Sequence, residues 1–250
     1  MVTRRMIAMV LVKNSHVVET IKFKIVKPVA SLINTIKFLN DWSDADEISI
    51  IDISDKKNKF YNNTKILKKI TKLNKLPLSV GGGISNINIA KKLISNGVDK
   101  LIINKSALNK ELIEKISYFY GSQSIILSLD FFKSKKDHNL YLLDRKNNKN
   151  FKIIDIIKKY NSMPVGEFLF QSILCDGTKH GYAIKEFKIL DELSEKPIIA
   201  VGGLGIPDHA CNLLRQTNVS AFGVGNYLHH NEEPTYKLKK YIKDKGLLVR

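Results

Sequence analysis

Short apolar runs with strand-like composition alternate with longer amphipathic segments along the whole chain. The runs occupy residues 6–12, 47–53, 76–80, 100–104, 124–130, 167–173, 196–201 and 220–225. The spacing of apolar residues between them predicts helices near 29–41, 62–73, 86–96, 108–119, 151–161, 183–193, 207–216 and 234–244. Eight strand–helix alternations predict a (β/α)₈ TIM barrel. An open doubly wound sheet is the alternative that the same pattern allows.

Local sequence signals give the ends of two of these helices. Ser85 is predicted to cap the helix that follows it, and Gly97 to end that helix. Pro207 lies where a first helical turn tolerates proline. Because no linker or low-complexity segment interrupts the pattern, we expect one domain over residues 1–250.

An internal repeat divides this domain into half-barrels of about 1–120 and 121–250. At an offset of 121, VGG at 80–82 meets VGG at 201–203, and VDKLIINKS at 98–106 meets VSAFGVGNY at 219–227. The same offset pairs Asp46 with Glu167. An offset of 119 aligns the first strand with the fifth and pairs Leu11 with Asp130.

Two glycine clusters, LSVGGGIS at 78–85 and IAVGGLGI at 199–206, each end a strand just before a helix. Glycines there allow close backbone approach, and the following N–H groups favour anions. One such cluster alone fits an ordinary tight turn, but two at matching positions predict two phosphate sites. The predicted phosphate contacts are Gly82, Gly83, Asn104, Ser106, Gly177, Gly202, Gly203, Gly225 and Asn226.

Candidate catalytic acids follow the strands of the second half. Asp130 ends the fifth strand and Asp176 follows the sixth, so both carboxylates are placed to move protons at the barrel mouth. Asp176 precedes a glycine and also fits a plain turn, and Asp52 is a weaker candidate. Leu11, the repeat partner of Asp130, has no proton to transfer.

The composition narrows the class of protein. The formal charge of +17 comes from 41 Lys and Arg against 24 Asp and Glu, with only five arginines. Lysines spread over amphipathic helices favour a solvated face, or a field that steers an anionic substrate, over a nucleic-acid site. Two cysteines, Cys175 and Cys211, are typical of a reducing cytoplasm. No run of about 18 apolar residues predicts a membrane span.

The motifs in their order resemble the HisF family, the cyclase subunit of imidazole glycerol phosphate synthase. The resemblance covers residues 1–245 and rests on RRMIAMVLVK, DEISIIDIS, LSVGGGI, GVDKLIINKSAL, GSQSIILSLD, GEFLFQSILCDGTKHGY and IIAVGGLG. It implies a barrel that receives ammonia through its centre from a glutaminase subunit. The ammonia joins a bisphosphorylated ribulosyl–aminoimidazole substrate, whose phosphates occupy the two glycine-rich sites.

Carried over residue by residue, the resemblance leaves one half of the machinery incomplete. Asp130 matches one catalytic aspartate, the other falls on Leu11, and a lysine of the first loop falls on Glu19. Asp99 matches an acid at the glutaminase interface. The implied ring that gates ammonia entry consists of Arg5, Glu47, Lys100 and Glu167. Ammonia delivery is thus expected to be intact and cyclisation damaged.

We therefore expect a synthase subunit that adds ammonia from a HisH-type glutaminase to a phosphorylated small molecule. Leu11 favours a divergent acceptor, a nucleotide-linked sugar amidated or amidinated for surface polysaccharide. The alternatives are an ordinary histidine-pathway cyclase, and a non-catalytic barrel that only activates the glutaminase. The expected assembly is a heterodimer. The expectation includes no metal, other cofactor, nucleic acid or membrane as partner.

Overall fold

The computed structural model describes residues 3–104, 109–144, 149–230 and 233–250. In chain order the strands described are β1 Arg5–Lys13, β2 His16–Ile21, β3 Lys24–Ser31, β4 Glu47–Asp52, β5 Leu78–Gly81, β6 Lys100–Ile103, β7 Ile125–Lys133, β8 Leu140–Asp144, β9 Lys149–Lys152, β10 Glu167–Ser172, β11 Ile198–Val201 and β12 Ala221–Val224. The helices are α1 Leu32–Trp42, α2 Thr64–Leu73, α3 Ile87–Ile94, α4 Lys110–Tyr120, α5 Ile153–Asn161, α6 Ile184–Leu193, α7 Pro207–Gln216 and α8 Pro234–Asp244.

Parallel pairing closes the sheet into a barrel. The order runs β1, β4, β5, β6, β7, β10, β11, β12 and back to β1, and every one of these neighbours is parallel. The predicted (β/α)₈ TIM barrel is confirmed, and the open doubly wound sheet is excluded because β12 pairs with β1.

The helices bury one apolar stripe each against the outside of the barrel. Asn86 caps α3 by accepting from the Ile89 amide at 3.0 Å, so the prediction of Ser85 as the cap is wrong by one residue. α7 begins at Pro207 as predicted. Within the described residues, no helix is both long and apolar enough to span a bilayer.

Two antiparallel hairpins interrupt the alternation. β2 and β3 follow β1, and β8 and β9 follow β7, at equivalent places in the two half-barrels. Residues 29–31 and 151–152, predicted as the beginnings of helices, are strand residues in these hairpins. Both hairpins project beyond the carboxyl ends of the strands, so they stand beside the mouth of the barrel.

The strand register tests the repeat. Leu11 lies opposite Ile51 in the β1–β4 pair, and Asp130 lies opposite Gln171 in the β7–β10 pair, which confirms that Leu11 and Asp130 are equivalent. The predicted pairing of Asp46 with Glu167 is wrong. Ile7 lies opposite Glu47 and Ile126 opposite Glu167, so Glu167 is equivalent to Glu47.

Alternation along the strands separates two cores. The larger apolar cluster lies between the sheet and the helices, and a smaller one fills the barrel with Ile7, Met9, Ile126, Leu169 and Ile199 among its members. Even-numbered residues of β7 therefore face the barrel axis, whereas Phe131 contacts Phe187 of α6 on the outside. Asp130 accordingly faces the axis.

Candidate active site at the barrel mouth

A pocket opens at the carboxyl ends of the strands, where α/β barrels carry their active sites. Leu11 of β1 and Ile51 of β4 contribute apolar side chains to its lining. Gln171 of β10 and Asp176, which follows β10, contribute polar groups. The second glycine cluster and residues 223–226 complete one wall. The pocket therefore has an apolar side and a polar side.

The two glycine clusters have matching backbones. Gly82 and Gly83 have φ values of 102° and 87°, and Gly202 and Gly203 have 105° and 109°. A Cβ at Gly82 would lie 2.0 Å from the Asp52 carbonyl oxygen, so only glycine fits. Since α3 and α7 both begin five residues after the first glycine of each pair, Gly82 is equivalent to Gly202, one residue away from the predicted alignment.

The first cluster packs against a buried cation. Lys59 is only 9% exposed, and its Cε would lie 3.2 Å from a Cβ on Gly83. The Lys59 ammonium contacts the Asp52 carbonyl and lies 3.7 Å from the carboxylate of Asp52. Tyr61 donates its hydroxyl to the Gly82 carbonyl at 2.7 Å. The sequence analysis missed Lys59 and Tyr61, because one more lysine in a lysine-rich loop carries no motif.

Asp52 organises this loop and does not enter the pocket. It is buried, lies opposite Val12 on the outer face of β4, and its carboxylate accepts the backbone N–H groups of Ser54 and Phe60 at 2.8 and 2.7 Å. Burial, with the charge of Asp52, raises the pKa of Tyr61 to about 12. Tyr61 is therefore a hydroxyl donor at neutral pH, and Asp52 is a structural residue.

The second cluster packs against backbone groups and against Lys179, which lies next to Gly205. Gly203 lies against the backbone of Gly181, and the Gly181 amide donates to the Gly203 carbonyl at 2.8 Å. His209 Nδ1 accepts from the amides of Gly205 and Ile206 at 3.2 and 3.4 Å. Burial lowers the pKa of His209, which keeps its ring neutral and able to accept. The two clusters thus share a backbone shape, and each has a lysine packed against it.

The predicted acids occupy different environments. Asp130 is half-buried near the end of β7, on the face toward the axis, with Gln171 beside it on β10. Leu11 occupies the equivalent position on β1 and lines the pocket. The barrel mouth therefore holds a carboxylate on one side of the axis and an isobutyl group on the other.

Asp176 is buried under the first hairpin. Its Oδ2 accepts the hydroxyl of Thr20 at 2.8 Å and the amide of Phe23 at 2.9 Å, and its Oδ1 accepts the side-chain amide of Gln171 at 3.1 Å. The Asp176 carbonyl also accepts the Lys22 amide at 2.9 Å. In this arrangement Asp176 fastens the hairpin across the pocket and acts as an acceptor at both oxygens.

The remaining predicted phosphate residues are spread around the mouth. Gly177 packs against the Thr20 carbonyl, and the Asn226 side chain donates to that same carbonyl at 2.9 Å. Gly225 has open space around it, and Asn104 is exposed with its amide 3.3 Å from Ser128 Oγ. Ser106 lies outside the described residues.

Glu19 is buried where the first hairpin packs against the barrel. It is 4% exposed, and one carboxylate oxygen lies 2.6 Å from His230 Nε2, while the other is 3.8 Å from Lys27. Burial lowers the pKa of the neighbouring His229, which Glu19 partly offsets. Glu19 therefore anchors the hairpin from the side that does not line the pocket, whereas its neighbour Thr20 lines the pocket.

A closed ring of charges lies at the opposite end of the barrel. Arg5 contacts Glu47 at 2.5 Å and also binds Glu167, and Lys100 lies 2.7 Å from Glu167 and 3.6 Å from Glu47. The four side chains alternate in sign and cancel in charge. The structure thus brings together all four residues that the resemblance assigns to an ammonia gate.

Mutual attraction keeps Arg5 and Glu167 of this ring ionised. Burial opposes the charge on Arg5, but the hydrogen bond to Glu167 and the attraction of both carboxylates raise its pKa above the ordinary value. Burial also opposes ionisation of Glu167, and the hydrogen bonds and charges of Arg5 and Lys100 outweigh it, so the pKa of Glu167 is lowered.

Comparison with known proteins gives the family. The model of a family described as histidine biosynthesis protein matches residues 5–234. The imidazole glycerol phosphate synthase subunit HisF of Staphylococcus epidermidis is 31% identical over 253 aligned residues that cover all of both chains. HisF of Staphylococcus aureus matches with the same identity and coverage. The chain belongs to the HisF family.

Within the HisF family this chain combines kept and altered features. The ring of Arg5, Glu47, Lys100 and Glu167 forms closed ion pairs, and both glycine clusters keep one backbone shape. Leu11 and Glu19 stand where the resemblance implies an aspartate and a lysine. The difference between this HisF-family barrel and the implied pattern is therefore concentrated on β1 and the hairpin that follows it.

Proposed function

We propose that the chain is the synthase subunit of a glutamine amidotransferase, which adds ammonia from a separate glutaminase to a phosphorylated acceptor that differs from the histidine-pathway substrate. The observation that carries the proposal is Leu11, which occupies on β1 the position that Asp130 occupies on β7. The name of the staphylococcal relatives, imidazole glycerol phosphate synthase subunit HisF, supports the reaction class.

Two anion sites fit a substrate with a negative group at each end. The matched positive-φ glycines present backbone N–H groups ahead of α3 and α7, on opposite halves of the barrel. A lysine packs beside each site, the buried Lys59 at the first and the exposed Lys179 at the second. An acceptor with two separated negative groups matches this arrangement.

Ammonia entry is assigned to the charged ring. Arg5 and Lys100 each bridge both glutamates, so the ring closes the barrel at its amino-terminal end. Passage requires that one cation swing aside, and Lys100, with 23% of its side chain exposed, is the more accessible of the two. A neutral ammonia molecule would then pass without carrying charge through the apolar interior.

The barrel interior offers neutral polar groups above the ring. Ser49 and Ser79 are buried, face the axis and share a hydrogen bond of 2.5 Å. Ser128 lies two residues before Asp130 on the same face of β7, and its Oγ is 3.3 Å from the side-chain amide of Asn104. These groups can hydrogen-bond to ammonia without protonating it, which supports a route from the ring to Asp130.

The docking face for the glutaminase is assigned to the end that carries the ring. α1 ends at Trp42 just before β4, and the last turn of α4 just before β7 contains Tyr118 and Phe119, so these side chains lie at the rim of that face. They are 72%, 85% and 54% exposed. Large exposed aromatic side chains beside a charged centre are typical of protein interfaces.

Proton transfer is assigned to Asp130. The equivalent side chain on β1, Leu11, cannot act as an acid or base, and Asp176 is held as an acceptor by Thr20, Phe23 and Gln171. Loss of one general acid or base costs about 10²–10⁴-fold in rate. A chemistry that needs one proton shuttle, such as amidation or amidination of a nucleotide-linked sugar for surface polysaccharide, suits this site.

The ordinary histidine-pathway cyclase is the second candidate. It is favoured by the full-length identity to HisF proteins. The two candidates differ in one experiment, complementation of a bacterial strain that lacks its own cyclase subunit. We expect the wild-type chain to fail, and Leu11→Asp alone not to rescue growth, because the first hairpin also differs at Glu19.

The outcome of this experiment separates the candidates only when the chain is present and folded. Immunoblotting and co-purification with the host glutaminase serve as controls. Full complementation by the wild-type chain would sink the divergent-acceptor proposal and restore the ordinary cyclase.

A further inference from the structure

The second hairpin presents an unusual row of side chains beside Asp130. Phe132 lies opposite Tyr141, and Tyr141 lies opposite Lys152, so one residue from each of β7, β8 and β9 forms a row across the sheet. Residues directly opposite on antiparallel strands project from the same face. Phe132, Tyr141 and Lys152 therefore share one face of the hairpin, which we name the aromatic row.

This face looks toward the barrel axis. Phe132 is two residues past Asp130 on β7, so both side chains are on the axis side, about 7 Å apart along the strand. The opposite face carries Leu140 and Leu142, which belong to the outer core. Because the outer face is buried, the orientation of the row is fixed.

The row combines a stacked pair with a cation. The Phe132 and Tyr141 rings are 6.0 Å apart at their centroids with 25° between their planes, and both side chains are half-buried. Lys152 is exposed at the end of the row. A planar heteroaromatic ring stacks well on such a surface, and a phosphate pairs with the lysine.

We propose that the aromatic row binds the base of a nucleoside phosphate carried by the acceptor, with Lys152 on the negative group. This rests on the proposed function, in which the acceptor is nucleotide-linked, and adds where the nucleotide lies. A cross-strand aromatic pair also stabilises a hairpin. The test therefore has to measure ligand preference and not stability alone.

The test compares two probes that differ only in the base. Isothermal titration of the full chain with adenosine 5′-monophosphate and with ribose 5-phosphate gives the preference due to the base. One stacked base corresponds to roughly 5–150-fold in affinity. We expect a preference in this range, its loss in Phe132→Leu, and its retention in Phe132→Trp. Phe38→Leu, which removes an exposed aromatic ring on α1, should leave it unchanged.

Lys152→Gln should weaken adenosine 5′-monophosphate binding several-fold and flatten its salt dependence. Equal binding of the two probes by the wild-type chain, or a preference that survives Phe132→Leu, would overturn the proposal. Glutaminase stimulation by the same variants keeps the two proposals apart. If stimulation is intact and the base preference is absent, only the aromatic row is wrong; the reverse result leaves the row standing and removes the proposed function.

Discussion

The surroundings of Leu11 determine the desolvation free energy that a carboxylate at this position would require. It lines the pocket with Met9, Val10 and Ile51 around it, on the strand equivalent to that of Asp130. An aspartate there would lose water contacts, and Lys59, the buried cation beside the first glycine cluster, is already paired with Asp52. The apolar surroundings belong to a site adapted to leucine.

Leu11→Asp should therefore lower the free energy of unfolding by about 1–3 kcal/mol at neutral pH. Urea denaturation followed by circular dichroism measures the change. Leu11→Met, which keeps the volume and the apolar character, is the matched control and should cost less than about 1.5 kcal/mol. An aspartate variant as stable as the control would mean that the pocket still accommodates the lost acid.

At this scale, the sequence allowed some residues of the site to be predicted and hid others. Asp130 and Leu11 could be predicted because they occupy matching positions in two repeated apolar strands. The four residues of the charged ring were predicted from the family resemblance alone. Lys59, Tyr61 and His209 could not, since their roles depend on contacts with glycines that are distant in sequence or on a helix end. Asp176 was placed correctly at the mouth, but its hairpin partners were invisible because the hairpin itself was not predicted.

The two hairpins are the elements that the sequence concealed. Residues 16–31 mix polar and β-branched residues, and the turn is made by Lys22 and Phe23, both with positive φ. Such a turn lacks the Asn-Gly or Gly-containing signal that usually marks a hairpin. The barrel strands, by contrast, are buried on both faces and appear as continuous apolar runs, so their existence could be predicted and only their ends could not.

The first hairpin should loosen when Asp176 loses its charge. In wild type, three donors share the two carboxylate oxygens of Asp176. Asp176→Asn keeps only one acceptor oxygen, so a buried hydrogen bond worth about 1–3 kcal/mol is lost. Hydrogen exchange at the Phe23 amide should accelerate by roughly 5–150-fold.

Exchange in the second hairpin is the internal control for this variant. Amides of β8 should keep their wild-type rates, because β8 pairs with β7 and β9 and does not contact Asp176 through any hydrogen bond described. Unchanged protection at Phe23 would show that other contacts hold the hairpin, with the Glu19–His230 pair the next to test.

For the whole molecule, one end of the barrel is expected to bind the acceptor and the other a glutaminase. Asp99 is exposed near the amino-terminal end of β6, with one oxygen on the Leu78 amide at 2.7 Å. Asp99→Lys should weaken the stimulation of glutamine hydrolysis at least about 10-fold, since like charges across an interface cost a few kcal/mol.

Asp55→Lys is the matched control for that variant. Asp55 is exposed in the loop between β4 and α2, at the opposite end of the barrel, and the substitution changes the net charge equally. Equal losses in both variants would trace the effect to the chain's charge of +17 and not to a docking face.

The last prediction concerns the stability of the fold at acidic pH, to which Glu167 of the charged ring contributes. The pKa of Glu167 is lowered in the folded chain from an ordinary value of 4.5, because Arg5 and Lys100 outweigh its burial. A lowered pKa stabilises the fold at pH values above the ordinary pKa, and this contribution is lost as the pH falls from 4.5 through the folded-state pKa.

Glu167→Gln removes the charge at every pH and leaves Arg5 and Lys100 with Glu47 alone. The variant should therefore be less stable than wild type at pH 7, and the difference should shrink as the pH falls below 4.5. Urea denaturation of both chains between pH 7 and pH 3 measures this convergence, with Glu192→Gln on the exposed side of α6 as the control that should follow wild type throughout. Coinciding curves for wild type and Glu167→Gln over that range would show that the charge of Glu167 does not stabilise the barrel.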